Sequence, residues 1–288
     1  MSRAVALLGR TTLGLPIALL LGVFFLVPMA MVLQLAFRPY DAHALIGTAL
    51  TLKNFGRFFG DPDYLWAFGR TLGISAATTV LSMVLGYPVA WHLHRVRSGT
   101  ARLWLTMIVL LPLMVSLVVA SFAWVLLLGN NGVINAGLIR LGLISEPFHF
   151  LNTMTGVIIV GTFSSLSYPI LTTFAALENI PPDLARSARI HGASEAQVFG
   201  RVILPLSLPG VISGGLIVFA LNMAAFVIPF LIGGGRVSVV PLMIYQFTLQ
   251  LFDWPGAAAL GVLLFALTLA TSWVVAALAQ RLMPWERP

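Results

Sequence analysis

The sequence predicts an all-α integral membrane protein with six transmembrane helices. Its 288 residues are 59% hydrophobic and only 9% charged, and the mean hydropathy is +0.99. Soluble domains carry charges at roughly a quarter of their positions, so this composition excludes an ordinary soluble fold. Crossing ~30 Å of hydrocarbon takes about 20 apolar helical residues, and six runs reach that length. These runs are residues 13–37, 66–92, 103–128, 152–177, 206–232 and 256–281.

The first run follows two arginines, which is also how a cleaved signal peptide begins. Its apolar core is far longer than the about 7–15 residues of a signal sequence, and no clean small-x-small cleavage site follows it. We therefore expect the first run to be retained as a transmembrane helix. Cysteine is absent from the chain, which excludes disulfides and thiolate metal sites.

The distribution of positive charges predicts the orientation, because cytoplasmic loops of membrane proteins are enriched in lysine and arginine. With the N-terminus inside, the inner segments hold ten such residues and the outer segments hold five. We therefore expect both termini to be cytoplasmic. The inner residues are Arg3, Arg10, Arg95, Arg97, Arg102, Arg186, Arg189, Arg201, Arg281 and Arg287, and the outer ones are Arg38, Lys53, Arg57, Arg140 and Arg236.

Residues 178–210 form a long polar stretch between two apolar runs and contain their own helix signals. A simple turn needs only a handful of residues, so this stretch is expected to hold two short cytoplasmic helices. Such an element on the face of a membrane protein is typical of a docking device. The predicted signals are an N-cap at Asn179 or Asp183, a left-handed stop at Gly192, a capping box of Ser194 with Gln197, and an end at Pro205.

The chain lacks the motif that would let it hydrolyse ATP. A phosphate-binding loop needs the pattern G-x-x-x-x-G-K-[ST], whereas Lys53, the one lysine, is followed by Asn54. The triplet 233–235 is glycine-rich but leads into Arg236. The histidines and carboxylates show no metal-ligand spacing. We therefore predict a chain that is not an enzyme and has no catalytic, cofactor or metal site.

A polar stripe indicates where a transport pathway would run. Residues Gly161, Ser164, Ser165, Tyr168 and Thr172 recur at three- and four-residue steps, which places them on one face of the fourth helix. At such depth, polar groups either bond another helix or line water, and both interpretations stay open. The candidate pathway residues are Ser164, Tyr168, Thr172, Asn222 in the fifth helix, and Asp253 near the outer mouth.

The central parts of the six runs contain no Asp, Glu, Lys or Arg. Secondary carriers usually place ionisable groups there, so a proton-coupled carrier is disfavoured. An ion channel would leave the polar stretch at residues 178–210 unexplained. Channel or secondary carrier nevertheless remains the alternative function.

Within the polar stretch, a motif runs Gly192-Ala193-Ser194, then Phe199, Ile203-Leu204-Pro205 and Leu208-Pro209-Gly210. This motif resembles the signature loop of permease subunits in binding-protein-dependent ABC importers, and the resemblance extends over about residues 66–281. Further motifs are Thr51-Leu52-Lys53-Asn54-Phe55, Arg70-Thr71-Leu72, Gly86-Tyr87-Pro88-Val89-Ala90, Phe226-Val227-Ile228-Pro229, Gly233-Gly234-Gly235-Arg236 and Asp253-Trp254-Pro255. These resemble the spermidine/putrescine permease branch of that family.

The resemblance implies a five-helix permease core with a cytoplasmic coupling-helix loop, in a bacterial inner membrane. It implies a first segment over 1–65, a permease domain over 66–281 with the coupling loop at 178–205, and a tail over 282–288. The implied partners are a pair of ATPase subunits, a second permease subunit and an external substrate-binding protein. The implied cargo is a small solute such as a polyamine, another amine, an opine or an organic ion.

One departure from the family pattern concerns the loop. Where the family has Glu-Ala-Ala, this chain has Arg186-Ser187-Ala188, and the usual acid three residues later is Ile190. We expect residues 183–192 to dock in an ATPase groove, with Leu184 and Ala188 on the docking side. The residues expected to couple to the ATPase are Leu184, Arg186, Ser187, Ala188, Gly192, Ala193 and Ser194.

Overall fold

The computed structural model describes residue 16 and residues 19–282, and it is mostly helical in that range. The N-terminal arginines and the 283–288 part of the tail lie outside the described residues. The helices are α1 (Leu19–Ala36), α2 (Lys53–Gly60), α3 (Pro62–Arg95), α4 (Gly99–Met114), α5 (Leu117–Leu128), α6 (Val133–Arg140), α7 (Met154–Ser165), α8 (Ser167–Glu178), α9 (Pro182–Ile190), α10 (Glu195–Met223), α11 (Val227–Leu231), α12 (Val240–Leu249) and α13 (Trp254–Leu282). A two-residue hairpin, β1 (Tyr40–Asp41) with β2 (Leu45–Ile46), follows α1.

Among the residues that the structure describes, five helical stretches are long and apolar enough to cross a membrane, and a bent pair, α7 with α8, brings the number to six if the pair is one span. The membrane fold is therefore confirmed. The five are Leu19–Ala36, Pro62–Arg95, Leu117–Arg140, Glu195–Met223 and Trp254–Ala279.

Two compact units make up the chain. One contains the described residues up to Leu65 together with Met243–Phe265, and the other contains Trp66–Leu242 together with the described residues from Ala266 onward. In the first unit the Asn54 side chain donates hydrogen bonds to the carbonyls of Ala36 at 3.0 Å and Arg38 at 2.8 Å. These bonds satisfy carbonyl groups where α1 ends, so α2 fixes the direction in which the chain leaves α1.

In the second unit α8 packs along α10, and glycines let the two backbones approach. A Cβ atom at Gly210 would lie 2.5 Å from the Ala176 Cβ and 2.6 Å from the Thr172 carbonyl oxygen. A Cβ atom at Gly214 would lie 2.7 Å from the Pro169 Cα. Small residues at helix contacts are how membrane helices pack closely. Gly210 and Gly214 therefore serve helix packing.

Three apolar runs that hydropathy predicts as single helices are interrupted. The run 103–128 divides at Val115, whose backbone is extended, and Ser116, which precedes the next helix. The run 152–177 bends by 41° at Leu166. Pro169 explains this bend, because it has no N–H to donate to the carbonyl four residues earlier. The run 206–232 ends its long helix at Met223.

Candidate functional site

The stop at the end of α9 is a Schellman motif. Gly192 has φ +85°, its N–H donates to the Arg189 carbonyl at 2.9 Å, and the Ala193 N–H donates to the Ala188 carbonyl at 3.1 Å. These are the two bonds that cap a helix through a left-handed residue, a conformation that costs glycine least. The predicted left-handed stop is confirmed.

The start of α10 is a capping box. The Gln197 N–H donates to Ser194 Oγ at 3.3 Å, and the Ser194 N–H donates to Gln197 Oε1 at 2.9 Å. Both orphan donors of the first turn are thereby satisfied. Ser194 and Gln197 occupy the predicted roles, so the start of α10 follows from the local sequence.

Two of the predicted helix boundaries in the loop are wrong. The N-cap of α9 is Pro181 without a side-chain bond; Asn179 closes α8 instead, and Asp183 lies inside the first turn of α9. Pro205 does not end the second helix, which continues unbroken to Met223. A π-helical turn over Phe199–Ile203 precedes that proline, and the Leu204 N–H donates to the Phe199 carbonyl. Pro205 has no N–H to donate, and the wider turn before it lets the helix continue past this position.

An ion pair holds the two arms of the loop together. Arg189 on α9 donates from Nε to Glu195 Oε1 at 2.6 Å and from Nη2 to Oε2 at 3.1 Å, across the Gly192 turn. These hydrogen bonds raise the pKa of Arg189 above its ordinary value. A bidentate pair fixes geometry as well as charge, so the loop is a defined element. The sequence analysis did not identify this pair, although a positive and a negative residue flank the predicted turn.

The exposed side chains of α9 are both polar and apolar. Arg186 pairs with Asp183 at 2.9 Å, and both side chains are more than two-thirds exposed. Leu184 is 45% exposed and Ile190 is 77% exposed, while Ala188 is half-buried against the chain. Ile190 is therefore the most exposed large apolar side chain of α9. The sequence analysis treated Ile190 only as the position of a missing acid.

A charge cluster anchors the base of the loop. Glu178, at the end of α8, accepts from His94 Nδ1 at 2.6 Å when that nitrogen is protonated, and it forms an ion pair with Arg102 of α4. Three helix ends meet in this cluster, because His94 lies in the last turn of α3. The sequence placed these residues on one side of the membrane but did not predict their contact.

Among the candidate pathway residues, Asn222 contacts the fourth apolar run, residues 152–177, directly. Its Nδ2 donates to Ser165 Oγ on α7 at 3.0 Å and to the Val218 carbonyl at 2.9 Å. Gly161 lies beside it, because a Cβ atom there would be 3.2 Å from Asn222 Oδ1. The structure thus brings Asn222 and part of the polar stripe together, a contact between residues that lie 57 positions apart.

The remaining stripe residues have different surroundings. Thr172 donates to the Tyr168 carbonyl at 3.1 Å and lies in the α8–α10 contact beside Gly214. Ser164 and Tyr168 are both half-buried. Because the run bends at Leu166, Ser164 belongs to α7 whereas Tyr168 and Thr172 belong to α8. The stripe is therefore divided between two helices.

Asp253 belongs to the other unit, and its carboxylate is already engaged. Oδ2 lies 3.2 Å from Arg57 Nη1, and Oδ1 accepts the Gly256 N–H at 2.8 Å. The Arg57 guanidinium also lies 5.0 Å from the ring centroid of Phe247. Asp253 thus caps α13 and neutralises an arginine, and a passing cation would have to compete with both.

Residues 82–284 match the family described as "Binding-protein-dependent transport system inner membrane component". This match includes α9, the Gly192 turn and the Asn222–Ser165 contact. The chain belongs to this family. The multi-pass helical structure is that of an inner-membrane component of such a transport system.

Curated relatives extend the likeness over most of this permease. It is 32% identical over 239 residues to the spermidine/putrescine transport system permease protein PotB of Haemophilus influenzae, covering 83% of each chain. It is 34% identical over 235 residues to the inner membrane ABC transporter permease protein YdcU of Escherichia coli, covering 77% of this chain and 74% of the relative.

Solved structures share the fold at lower sequence identity. A chain of a bacterial alginate ABC transporter, crystallised with an alginate pentasaccharide-bound periplasmic protein, superposes with a TM-score of 0.77 at 22% identity, covering 94% of each chain. A chain of the MetNI methionine ABC transporter gives a TM-score of 0.57 at 18% identity. The predicted permease fold is confirmed.

Proposed function

We propose that this permease forms half of the translocation pathway of an ATP-driven importer. Its partners would be two ATPase subunits, a second permease and an external substrate-binding protein. The observation that carries the proposal is the loop Pro182–Gln197, two short helices joined at the Gly192 turn and linked by the Arg189–Glu195 pair, inside the region that matches the family. A permease needs such an element to receive movement from a separate motor, and this chain has no phosphate-binding motif of its own.

The residues proposed to couple to the ATPase are those of the loop. Leu184 and Ala188 lie four residues apart and therefore on one face of α9, and this face would enter the groove, with Gly192 allowing the sharp exit. Arg186, two residues from Leu184, would face a different part of the groove. Ser187, Ala193 and Ser194 complete the proposed site.

The proposed orientation has both termini and the loop in the cytoplasm. The excess of positive charge on those segments supports it. Cysteine accessibility tests it without background, because the natural chain contains no cysteine. A Ser194→Cys variant should react with a membrane-impermeant maleimide only after the membrane is permeabilised. Labelling in intact cells would contradict the orientation.

The proposed cargo is a polyamine or a related small amine, and relatives named for spermidine and putrescine support it. The pathway at the partner permease would be lined by Asn222, Tyr168 and Ser164. Thr172 and Asp253 are already bonded within the chain, which limits such a role. Changing Asn222 to Leu should reduce uptake of labelled spermidine or putrescine into vesicles while the complex still assembles. Uptake at the wild-type rate would show that Asn222 only packs.

A further inference from the structure

An aromatic cluster joins the start of α10 to the C-terminal end of α3. The centroid of the Phe199 ring lies 5.9 Å from that of Tyr87 and 5.2 Å from that of Trp91, and the ring planes meet at 80° and 69°. Tyr87 and Trp91 lie four residues apart and therefore on one face of α3. Such edge-to-face pairs add to the stabilisation that burial provides. Phe199 is therefore held against two positions of a helix that is distant in sequence.

A hydrogen bond joins the same two helices further along α10. Ser207 is fully buried, and its hydroxyl donates to the Leu204 carbonyl at 2.9 Å. The Tyr87 hydroxyl, 3.0 Å from Ser207 Oγ, is therefore the donor between these two side chains. The π-helical turn Phe199–Ile203 lies between the two contacts, so α10 is attached to α3 on both sides of that turn. Turns of this kind recur at functional sites.

Trp91 connects the aromatic cluster with the interior of the unit. It packs against a buried group of Ala90 on α3 with Ile170 and Leu177 on α8. The Arg95 guanidinium lies 5.5 Å from the centroid of the Trp91 ring. Closely packed side chains transmit a displacement instead of absorbing it. A shift of the Phe199 ring therefore displaces Trp91 and, through it, α3.

We propose that Phe199 is a positioning residue that transmits movement of the loop Pro182–Gln197 to α3. The Arg189–Glu195 pair joins the two arms of the loop to each other, whereas Phe199 joins the end of the loop to a separate membrane-spanning helix. When α9 is displaced, the start of α10 follows, and the Phe199 ring carries α3 with it. This inference rests on the proposed function, because it requires that an ATPase moves the loop.

The test follows the loop and α3 separately in the full-length permease, assembled in lipid vesicles with partner subunits whose cysteines have been replaced. One preparation has Ala196→Cys at the start of α10, and another has His92→Cys on α3. Both positions are exposed, and the natural permease contributes no cysteine. Each cysteine carries a bimane label, and ATP with vanadate holds the ATPase subunits closed. We expect closure to change the fluorescence of both labels when Phe199 is present.

Phe199→Leu should separate the two responses. Leucine keeps most of the apolar volume but removes the ring, so the loop label should respond as before. The response of the α3 label should fall at least about twofold, as expected for a residue on a coupling route. Trp91→Leu should give the same pattern, and the double variant should add little, because both changes act on one contact. Phe199→Tyr keeps the ring and should retain both responses.

Phe163→Leu is the matched control. The Phe163 ring meets Trp124 edge to face, with the centroids 5.1 Å apart and the planes at 68°. This is a pair of the same kind, between α5 and α7, that does not include the loop. Its removal should leave both responses unchanged.

Each other result has a definite meaning. An α3 response in Phe199→Leu equal to that of the parent would overturn the inference and leave the proposed function intact. Loss of both responses would show that Phe199 holds the loop itself, and a silent α3 label in the parent would show that α3 does not follow the loop; either would overturn it. A silent loop label in the parent would contradict the proposed function as well. If Phe199→Leu does not assemble, Trp91→Leu applies the same test.

Discussion

The loop between α8 and α10 and the direct contact between α8 and α10 connect the same two helices in different ways. Within the loop, hydrogen bonds and two ion pairs join residues no more than six positions apart, as in the Arg189–Glu195 pair. Within the contact, glycines such as Gly214 meet residues far away in sequence, such as Pro169. The loop is thus stabilised by polar bonds at an exposed surface, whereas the contact depends on the absence of side-chain volume.

This difference indicates which substitutions each region tolerates. A polar bond at the surface can be replaced by water at little cost, whereas an added methyl group in a close helix contact has nowhere to go. We therefore expect added side-chain volume in the α8–α10 contact to have the largest effect. A change that strains the backbone at Gly192 should have an intermediate effect, and a change of charge on α9 should have the smallest.

The largest effect is expected from Gly214→Ala. The added Cβ would lie 2.7 Å from the Pro169 Cα, so the helices must separate, at a cost of ~1–3 kcal/mol for overpacking. Thermal unfolding of the purified permease measures it. Gly73→Ala is the matched control, because a Cβ there meets nothing within 4 Å, and it should be neutral or slightly stabilising. Equal behaviour of the two variants would contradict the close contact.

An intermediate effect is expected from Gly192→Val. A Cβ at this position has free space, so the cost comes from the φ of +85° alone, about 1–2 kcal/mol for a left-handed residue. We expect solute-stimulated ATPase activity of the reconstituted complex to fall while the helices remain inserted. Gly192→Asn should lose less, because asparagine tolerates this conformation. Wild-type coupling in the valine variant would rule out the proposed role of the turn.

The smallest effect is expected from Arg186. Its pair with Asp183 is exposed and contributes only ~0–1 kcal/mol, so Arg186→Ala should leave coupling almost unchanged. Arg186→Glu should be worse, because the new carboxylate would face Asp183 and any acidic part of the groove. The same ATPase assay measures both variants. Better coupling in the Arg186→Glu variant would show that the groove prefers the opposite charge.

The two regions also differ in how well the sequence predicts them. The Gly192 stop and the box of Ser194 with Gln197 follow from residues within one or two turns of each other, and both are confirmed. The predicted helix end at Pro205 is wrong, and its cause also lies within a few residues of that position, although it cannot be seen in the sequence. A π-helical turn leaves no signature in composition, and it lets the helix continue through the proline.

By itself, the sequence determined the class of protein, the membrane-spanning character, the Gly192 stop and the capping box of Ser194 with Gln197, because composition and short-range hydrogen bonds depend only on neighbouring residues. The tertiary structure alone decided which distant side chains meet, whereas the bend at Leu166 has a local cause in Pro169 that hydropathy misses. Hydropathy is a sum over a window, so it does not register the bend at Leu166. The contacts of Asn222 with Ser165, and of Asp253 with Arg57 196 positions away, require the packing of helices, which no local pattern specifies.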